Sequence, residues 1–88
     1  MYKIIFFKSR QLEKNLSKVK KSGNKPLLEQ KLISFAENPL RNINVKKIIA
    51  PKYSVFRLRV GNWRIFYDMD SKNQIIIIYR IISRNKAY

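Results

Sequence analysis

Three arginines lie close together in the second half of the chain, and their type and spacing make them the strongest candidates for a binding or catalytic role. Arg57 and Arg59 precede a Gly61-Asn62 pair, Arg64 follows it, and both flanking segments are rich in aromatic and β-branched residues. This composition predicts two antiparallel strands joined by a two-residue turn with glycine in its first position, as in a type II′ hairpin. The sequence therefore predicts that all three arginines lie on one β-hairpin.

The predicted hairpin also places these arginines on one face. If Val60 lies opposite Trp63, counting outwards pairs Arg59 with Arg64, and Arg57 follows on the same face because side chains alternate along a strand. Directly opposed like charges destabilise a sheet, and an arginine does not relieve the repulsion by losing its proton. A solvated outer face and an anion site are the two alternatives. Three crowded cations favour the anion site, with phosphate as the anion.

The overall charge of the chain points to polyanionic partners. The sequence contains 20 lysines and arginines but only five acidic residues, which gives a net charge of +15. Such a chain binds polyanions through counterion release. The basic residues are spread over several predicted elements rather than one amphipathic helix, which favours nucleic acid or an acidic protein over a membrane.

No apolar run is long enough for a signal peptide or a membrane span, and the lack of cysteine fits a reducing, cytoplasmic location.

The residue types available limit the chemistry of any active site. The sequence lacks histidine as well as cysteine, so the commonest general acid/base and the usual zinc ligands are absent. Asp68 and Asp70 form an acidic pair beside a predicted turn, which is more often structural than metal-binding. We therefore expect neither a metal nor a cofactor. An arginine-built site would act by electrostatic stabilisation of developing negative charge.

Two helices are predicted between a first strand over residues 2–7 and the hairpin. Ser9 is the expected N-cap of the first helix, Gly23 ends that helix, and Pro26 opens the second. The predicted buried stripes have helical spacing. They are Leu12, Leu16 and Val19 in the first helix, and Leu28, Leu32, Phe35 and Ala36, widened by Leu27 and Ile33, in the second.

The remaining segments complete the predicted sheet. Residues 40–52 have no clear periodicity and are predicted to be a connecting loop. Residues 74–82 contain four consecutive isoleucines, which indicates a central strand buried on both faces. The predicted order is β-α-α-β-β-β in a single domain over residues 1–88. This is an α+β fold, with a helical hairpin on one face of a small, mostly antiparallel sheet and the arginines on the other.

In this order the sequence resembles the RelE/ParE superfamily of bacterial toxin–antitoxin toxins. Four motifs carry the resemblance, and together they span essentially the whole chain. They are Phe-Lys-Ser at 7–9, Phe-Ala-Glu-Asn-Pro at 35–39, the hairpin segment at 53–68, which is similar to the family's "yR.RvGdyRviYei", and the segment at 80–88, which is similar to "R.ghR..vY".

The resemblance implies a microbial ribonuclease-type fold and a role in blocking translation. RelE-type members are mRNA interferases that cleave mRNA in the ribosomal decoding site and are neutralised by a cognate antitoxin. The implied partners are therefore the ribosome, mRNA and a small acidic antitoxin in a toxin–antitoxin hetero-oligomer. Two alternatives remain open: a ParE-type toxin, which shares the fold but poisons DNA gyrase without nuclease residues, and an inactive relic that only binds its antitoxin.

The resemblance also implies roles for individual residues. Arg57 matches a catalytic basic residue that is often lysine, and Arg64 matches the arginine that stabilises the transition state. Arg84 would sit beside the leaving 5′-oxygen, and Tyr88 would stack on a base or relay a proton. These four residues are the expected catalytic set.

Further residues are expected to bind RNA or the ribosome, with Arg59 on a backbone phosphate and Phe66 as a stacking platform. The complete set is Lys46, Lys47, Lys52, Arg59, Phe66, Arg80 and Lys86. The sequence departs from the family pattern at two positions. Val55 stands where some members have another basic residue, and Ser83 stands where many have a histidine, which weakens the case for acid–base catalysis.

Overall fold

The computed structural model describes residues 1–39, 45–49 and 54–83. Two helices follow the first strand, and four further strands follow the helices. The elements are β1 (Lys3–Phe6), α1 (Arg10–Ser22), α2 (Lys25–Glu37), β2 (Val45–Ile49), β3 (Ser54–Val60), β4 (Trp63–Asp70) and β5 (Ile75–Ser83). The observed order, β-α-α-β-β-β-β, is the predicted α+β arrangement with one additional strand.

The strands form one five-stranded sheet in the order β1-β5-β4-β3-β2. β1 runs parallel to β5, whereas the other three pairs of neighbours are antiparallel. β5 lies between β1 and β4, so the isoleucine-rich segment is an interior strand, as predicted. The expected burial on both faces was wrong, because the helices cover only one face: Ile76 and Ile78 are buried, whereas Ile75 and Ile77 are partly exposed. α1 and α2 carry the chain from β1 at one edge of the sheet to β2 at the other edge. Three antiparallel connections then lead back through β3 and β4 to β5, which runs beside β1 in the same direction.

The additional strand corrects one prediction. The segment 40–52 was expected to be a loop, which is wrong for Val45–Ile49, because these residues form the edge strand β2 beside β3. The physical reason is the adjacent pair Lys46 and Lys47, which interrupts the apolar alternation typical of a strand. Lysines are common on edge strands because they discourage pairing with other chains.

The helix boundaries agree with the predicted caps. The side-chain oxygen of Ser9 accepts a hydrogen bond from the Leu12 N–H at 3.1 Å, which satisfies one of the free donors at the start of α1. At the other end Gly23 has a φ of 80°, a left-handed conformation that glycine adopts without steric cost. α2 starts at Lys25, with Pro26 in its first turn.

The core lies between the two helices and one face of the sheet. Its helical members include most of the predicted stripes, but Leu16, Leu27 and Ile33 are 36%, 42% and 52% exposed, so the expectation that they are core residues was wrong. The buried apolar residues are Leu12, Val19, Leu28, Leu32, Phe35, Ala36, Leu58, Val60, Trp63, Ile65, Tyr67, Ile76, Ile78 and Ile81. The stripes are narrower than predicted because each helix contacts the sheet through a single face.

The Ser9 cap gives a test of this local analysis. Because Ser9→Ala removes the acceptor for the Leu12 N–H, we expect the free energy of unfolding to fall by about 1 kcal/mol. Ser17→Ala is the matched control, since it makes the same change at an exposed position inside α1 and should alter stability by less than about 0.5 kcal/mol. Urea unfolding followed by circular dichroism measures both. Equal effects of the two substitutions would contradict a capping role.

Candidate nucleic-acid interface

The β3–β4 hairpin has the predicted register. Val60 lies opposite Trp63 and Arg59 opposite Arg64. Gly61 takes the first turn position with a φ of 58°, as a type II′ turn requires. Since residues on this hairpin alternate between the core and the opposite side of the sheet, the arginines lie on the side away from the helices. Trp63 is buried in the core, as expected from the count.

Pairing across neighbouring strands extends this surface into a row. Lys46 on β2 lies opposite Arg57 on β3, Arg57 opposite Phe66 on β4, and Phe66 opposite Arg80 on β5. We call these four residues the basic row. Neighbouring strands are about 4.8 Å apart, so the row spans roughly 14 Å across the sheet. The basic row together with Arg59 and Arg64 is called the arginine face below.

The side chains of the arginine face differ in their exposure. Lys46, Arg59 and Arg80 are exposed, whereas Arg57 and Phe66 are half-buried. An aromatic ring therefore lies between two arginines on a surface that solvent reaches. This arrangement combines charge for phosphates with a flat apolar surface for a base.

Arg64 is the exception, because only 5% of it is exposed. Its Nη1 donates hydrogen bonds to the carbonyl oxygens of Gly61 and Trp63, each at 3.0 Å. Its buried Nε has no hydrogen-bond partner within the described segments. The guanidinium group thus bonds the hairpin turn and leaves one buried donor unsatisfied, which is energetically costly.

The two acidic residues on β4 have local structural roles. The Asp70 carboxylate accepts hydrogen bonds from the side chain of Asn73 at 2.7 Å and from its backbone N–H at 3.1 Å, and these bonds lower the pKa of Asp70. Asp68 accepts the Met69 N–H at 2.8 Å. Among the described residues, no group of three or more histidine, cysteine, aspartate or glutamate side chains is placed to hold a metal ion.

One tyrosine near the hairpin does not belong to the interface. Tyr67 is 1% exposed and packs in the core, with its ring 5.1 Å from that of Phe35 and 5.5 Å from that of Phe56. Burial raises the pKa of Tyr67. Its hydroxyl group therefore stays protonated near neutral pH and is not available as a base for chemistry on the arginine face.

The structure separates the expected RNA-binding lysines. Lys46 belongs to the basic row, but Lys47 lies opposite Phe56 and so points from the other side of the sheet. Of the remaining expected site residues, four lie outside the described segments, and their roles stay predictions. These are Lys52, Arg84, Lys86 and Tyr88.

Sequence analysis missed a buried polar residue. Asn15 is 6% exposed, and its Oδ1 accepts the backbone N–H of Ile81 at 3.1 Å. A signal was present, because Asn15 falls between Leu12 and Val19 at helical spacing, on the buried side of α1. Leu16 was chosen instead because it is apolar.

The described helices are too short and too polar to cross a membrane.

Comparison with known proteins identifies the family. The family model of the ParE toxin of type II toxin–antitoxin systems, parDE, matches residues 9–88. No curated protein matches the sequence.

Solved structures show the same fold. The chain is similar to one in the archaeal RelE–RelB complex from Pyrococcus horikoshii, with 24% identity over 98% of both chains and a TM-score of 0.67. It is also similar to Escherichia coli YafQ, with 13% identity over 100% of this chain and 99% of YafQ and a TM-score of 0.68. A metal-bound toxin from Helicobacter pylori has 15% identity over 100% of both chains and a TM-score of 0.70.

These comparisons confirm the resemblance that the four sequence motifs carried, and the solved structures confirm the α+β fold. The family match begins at the cap of α1 and includes both helices, the hairpin and β5. The chain therefore belongs to the ParE toxin family of type II toxin–antitoxin systems, within the RelE/ParE superfamily.

Proposed function

We propose that this toxin is a ribosome-dependent mRNA endonuclease that blocks translation by cleaving mRNA without a metal ion. The observation that supports it most strongly is the basic row, in which Phe66 lies between Arg57 and Arg80 on an accessible sheet face. Proteins that bind single-stranded nucleic acid combine positive charge along the backbone with aromatic rings on which bases stack. A structural face of a small sheet does not need this combination.

In the proposed complex, each part of the arginine face has a distinct task. A base stacks on the half-buried ring of Phe66, and the phosphates on either side contact Arg57 and Arg80. Lys46 and Arg59 are exposed at the margins, where they bind further mRNA or ribosomal RNA phosphates without sequence preference. The charges of Lys52 and Lys86 suit the same non-specific role, whereas Lys47, on the other side of the sheet, would bind phosphates only outside the arginine face.

The proposed chemistry begins with the RNA's own 2′-hydroxyl group, whose oxygen attacks the adjacent phosphorus while its proton passes to water. The bond from phosphorus to the 5′-oxygen of the next nucleotide breaks, which leaves a 2′,3′-cyclic phosphate and a 5′-hydroxyl group that takes its proton from water. Negative charge builds up on the phosphoryl oxygens, and Arg57 and Arg64 stabilise it. The guanidinium pKa lies far above neutrality, so these residues act as fixed charges rather than as acids or bases. Arg84 would stabilise the leaving oxygen, and Tyr88 would stack on a base or relay a proton, as the family resemblance implies.

Arg64 fits this role as a preorganised charge. Its bonds to the carbonyl groups of Gly61 and Trp63 fix the guanidinium group at the turn, so no side-chain reorganisation accompanies the reaction. Its charge is shielded from water, which strengthens its interaction with an anion on the face.

The proposed antitoxin partner has a separate surface. An apolar groove of about 400 Å³ between the helices and the sheet includes Phe6, Leu16 and Leu28, with Lys20 and Lys25 beside it. Such a groove suits the apolar side of an amphipathic helix, and Lys20 beside it suits an acidic residue of the partner, whereas Lys25 already pairs with Glu29 at 3.8 Å. The net charge of +15 would accelerate the encounter. The RelE-type relative from Pyrococcus horikoshii was solved in a complex with RelB, and we propose a similar hetero-oligomer here.

A second candidate function is supported by the family match. The matched model is that of the ParE toxin, and Ser83 occupies the position where many RelE-type members have a histidine. In this alternative, the protein inhibits DNA gyrase and does not cut RNA. A relic that binds only its antitoxin would have neither activity. The two activities are distinguished by assaying mRNA cleavage on translating ribosomes and gyrase supercoiling with the same preparation.

The metal-independent mechanism predicts a specific substrate requirement. We expect cleavage of ribosome-bound mRNA to stop when the scissile nucleotide carries a 2′-deoxy substitution, because the nucleophile is then missing. Chelators of transition metals should leave the rate unchanged at magnesium concentrations that keep the ribosome intact. Primer extension measures both. Cleavage of the 2′-deoxy mRNA, or loss of cleavage with the chelator, would contradict the mechanism.

Arg57 and Arg59, two positions apart on β3, offer a matched pair of variants. If Arg57 stabilises the transition state, Arg57→Ala should slow single-turnover cleavage on saturating ribosomes about 10²–10³-fold, the typical effect of losing one such donor. Arg59→Ala should instead weaken binding and leave the cleavage rate of bound mRNA nearly unchanged. Single-turnover kinetics over a range of ribosome concentrations separates the two effects. The reverse pattern would exchange the roles of these arginines.

A further inference from the structure

Strand β5 contains one extra residue opposite β4. Phe66 lies opposite Arg80, and the next residue, Tyr67, lies opposite Ile78, which leaves Tyr79 without a counterpart. This is a β-bulge, in which two residues of one strand oppose a single residue of its neighbour. Bulges change the direction in which the following side chains point.

The bulge decides which side of the sheet Arg80 occupies. Ile76 and Ile78 both point into the core, so unbroken alternation would bury Arg80 next. Instead Arg80 is exposed, and Ile81 is the next core residue, with 2% exposure. The extra residue thus moves the arginine from the core to the arginine face, where it completes the basic row.

A side chain from α1 holds the strand just beyond the bulge. The Oδ1 of Asn15 accepts the N–H of Ile81 at 3.1 Å. β1 pairs with β5 only as far as Phe6 opposite Ile78, so in the described sheet it does not extend to Ile81. Asn15 therefore supplies an acceptor that an adjacent strand would otherwise supply. A buried N–H without an acceptor is strongly disfavoured, which ties the position of Ile81 to Asn15.

We propose that Asn15 is a positioning residue for the RNA-binding surface. It lies on the opposite side of the sheet from that surface, yet by holding Ile81 it maintains the bulge that directs Arg80 outwards. Leu12 and Val19 flank Asn15 on the buried side of α1, where an apolar residue would pack at lower desolvation cost. The bulge is a feature of the folded chain itself, whereas its effect on RNA binding rests on the proposed function.

The first test examines the bulge in the free, full-length protein by NMR. Asn15→Leu keeps the branch at Cγ but is larger and has no acceptor, so we expect the Ile81 amide to exchange at least about tenfold faster and the cross-strand contact between Phe66 and Arg80 to be lost. Asn15→Asp keeps an acceptor oxygen and should retain both features. Val19→Ala is the control, because it weakens the same buried helix face but should leave the strand pairing unchanged.

The second test measures how the binding of a single-stranded RNA oligonucleotide depends on salt. Losing one phosphate contact makes the slope of log K against log salt shallower by about 0.7. We expect this change for Arg80→Ala and for Asn15→Leu, and no further change in the double variant. Val19→Ala should keep the wild-type slope, which separates positioning from a general loss of stability.

Several outcomes would overturn the proposal. Unchanged pairing of Phe66 with Arg80 in Asn15→Leu would overturn it directly. If that variant does not fold, the wild-type protein provides the test, because an Ile81 amide that exchanges as fast as an unprotected amide of an unfolded chain rules out the hydrogen bond. A different outcome is that Asn15→Leu loses the pairing but Arg80→Ala leaves the salt slope unchanged. Arg80 would then not contact RNA, and Asn15 would not position an RNA-binding residue, although its hydrogen bond to Ile81 would still hold the bulge.

Discussion

The register of the β3–β4 hairpin is the constraint on which the rest of this structure depends. Because side chains alternate with a period of two, the pairing of Val60 with Trp63 decides which residues face the helices and which face away. A slip of one residue would move Arg59 and Arg64 into the core side and expose Leu58. The same pairing that builds the core therefore builds the arginine face, and neither can change without the other.

The two sides of the hairpin contribute differently to stability. The apolar side of the hairpin contributes burial energy, whereas the other side concentrates positive charge that repels itself. Arg64 illustrates the balance, because two carbonyl groups at the turn hold its charge while its Nε remains unsatisfied in the described structure. In the proposed complex, RNA phosphates along this face would offset part of its positive charge.

The parts of the fold that the sequence predicted well are those with strong local signals. A glycine-led turn between two alternating strands determined the hairpin register, and Ser9 and Gly23 marked both ends of α1. The family motifs extended the prediction to the whole chain. By contrast, the edge strand β2 was not predicted, because the adjacent Lys46 and Lys47 interrupt its apolar alternation. Its formation depends on pairing with β3 rather than on its own sequence pattern.

The features of the site that could not be predicted arise from tertiary contacts. Because every residue in a run of isoleucines is apolar, the run does not show where the alternation between the two faces of the strand breaks. The bulge at Tyr79 therefore could not be predicted from the sequence. Its anchor, Asn15, is 66 positions away from Ile81. The burial of Arg64 likewise follows from the path of its side chain back to the turn, which residue type and spacing do not specify.

The proposed binding of RNA across the arginine face is tested most directly by an NMR titration of the isotope-labelled protein with a short single-stranded RNA. We expect the largest shifts at the ring of Phe66 and the guanidinium groups of Arg57 and Arg80, with the exposed surfaces of α1 and α2 almost unaffected. Shifts that are confined to the helices and leave the basic row unchanged would contradict the account.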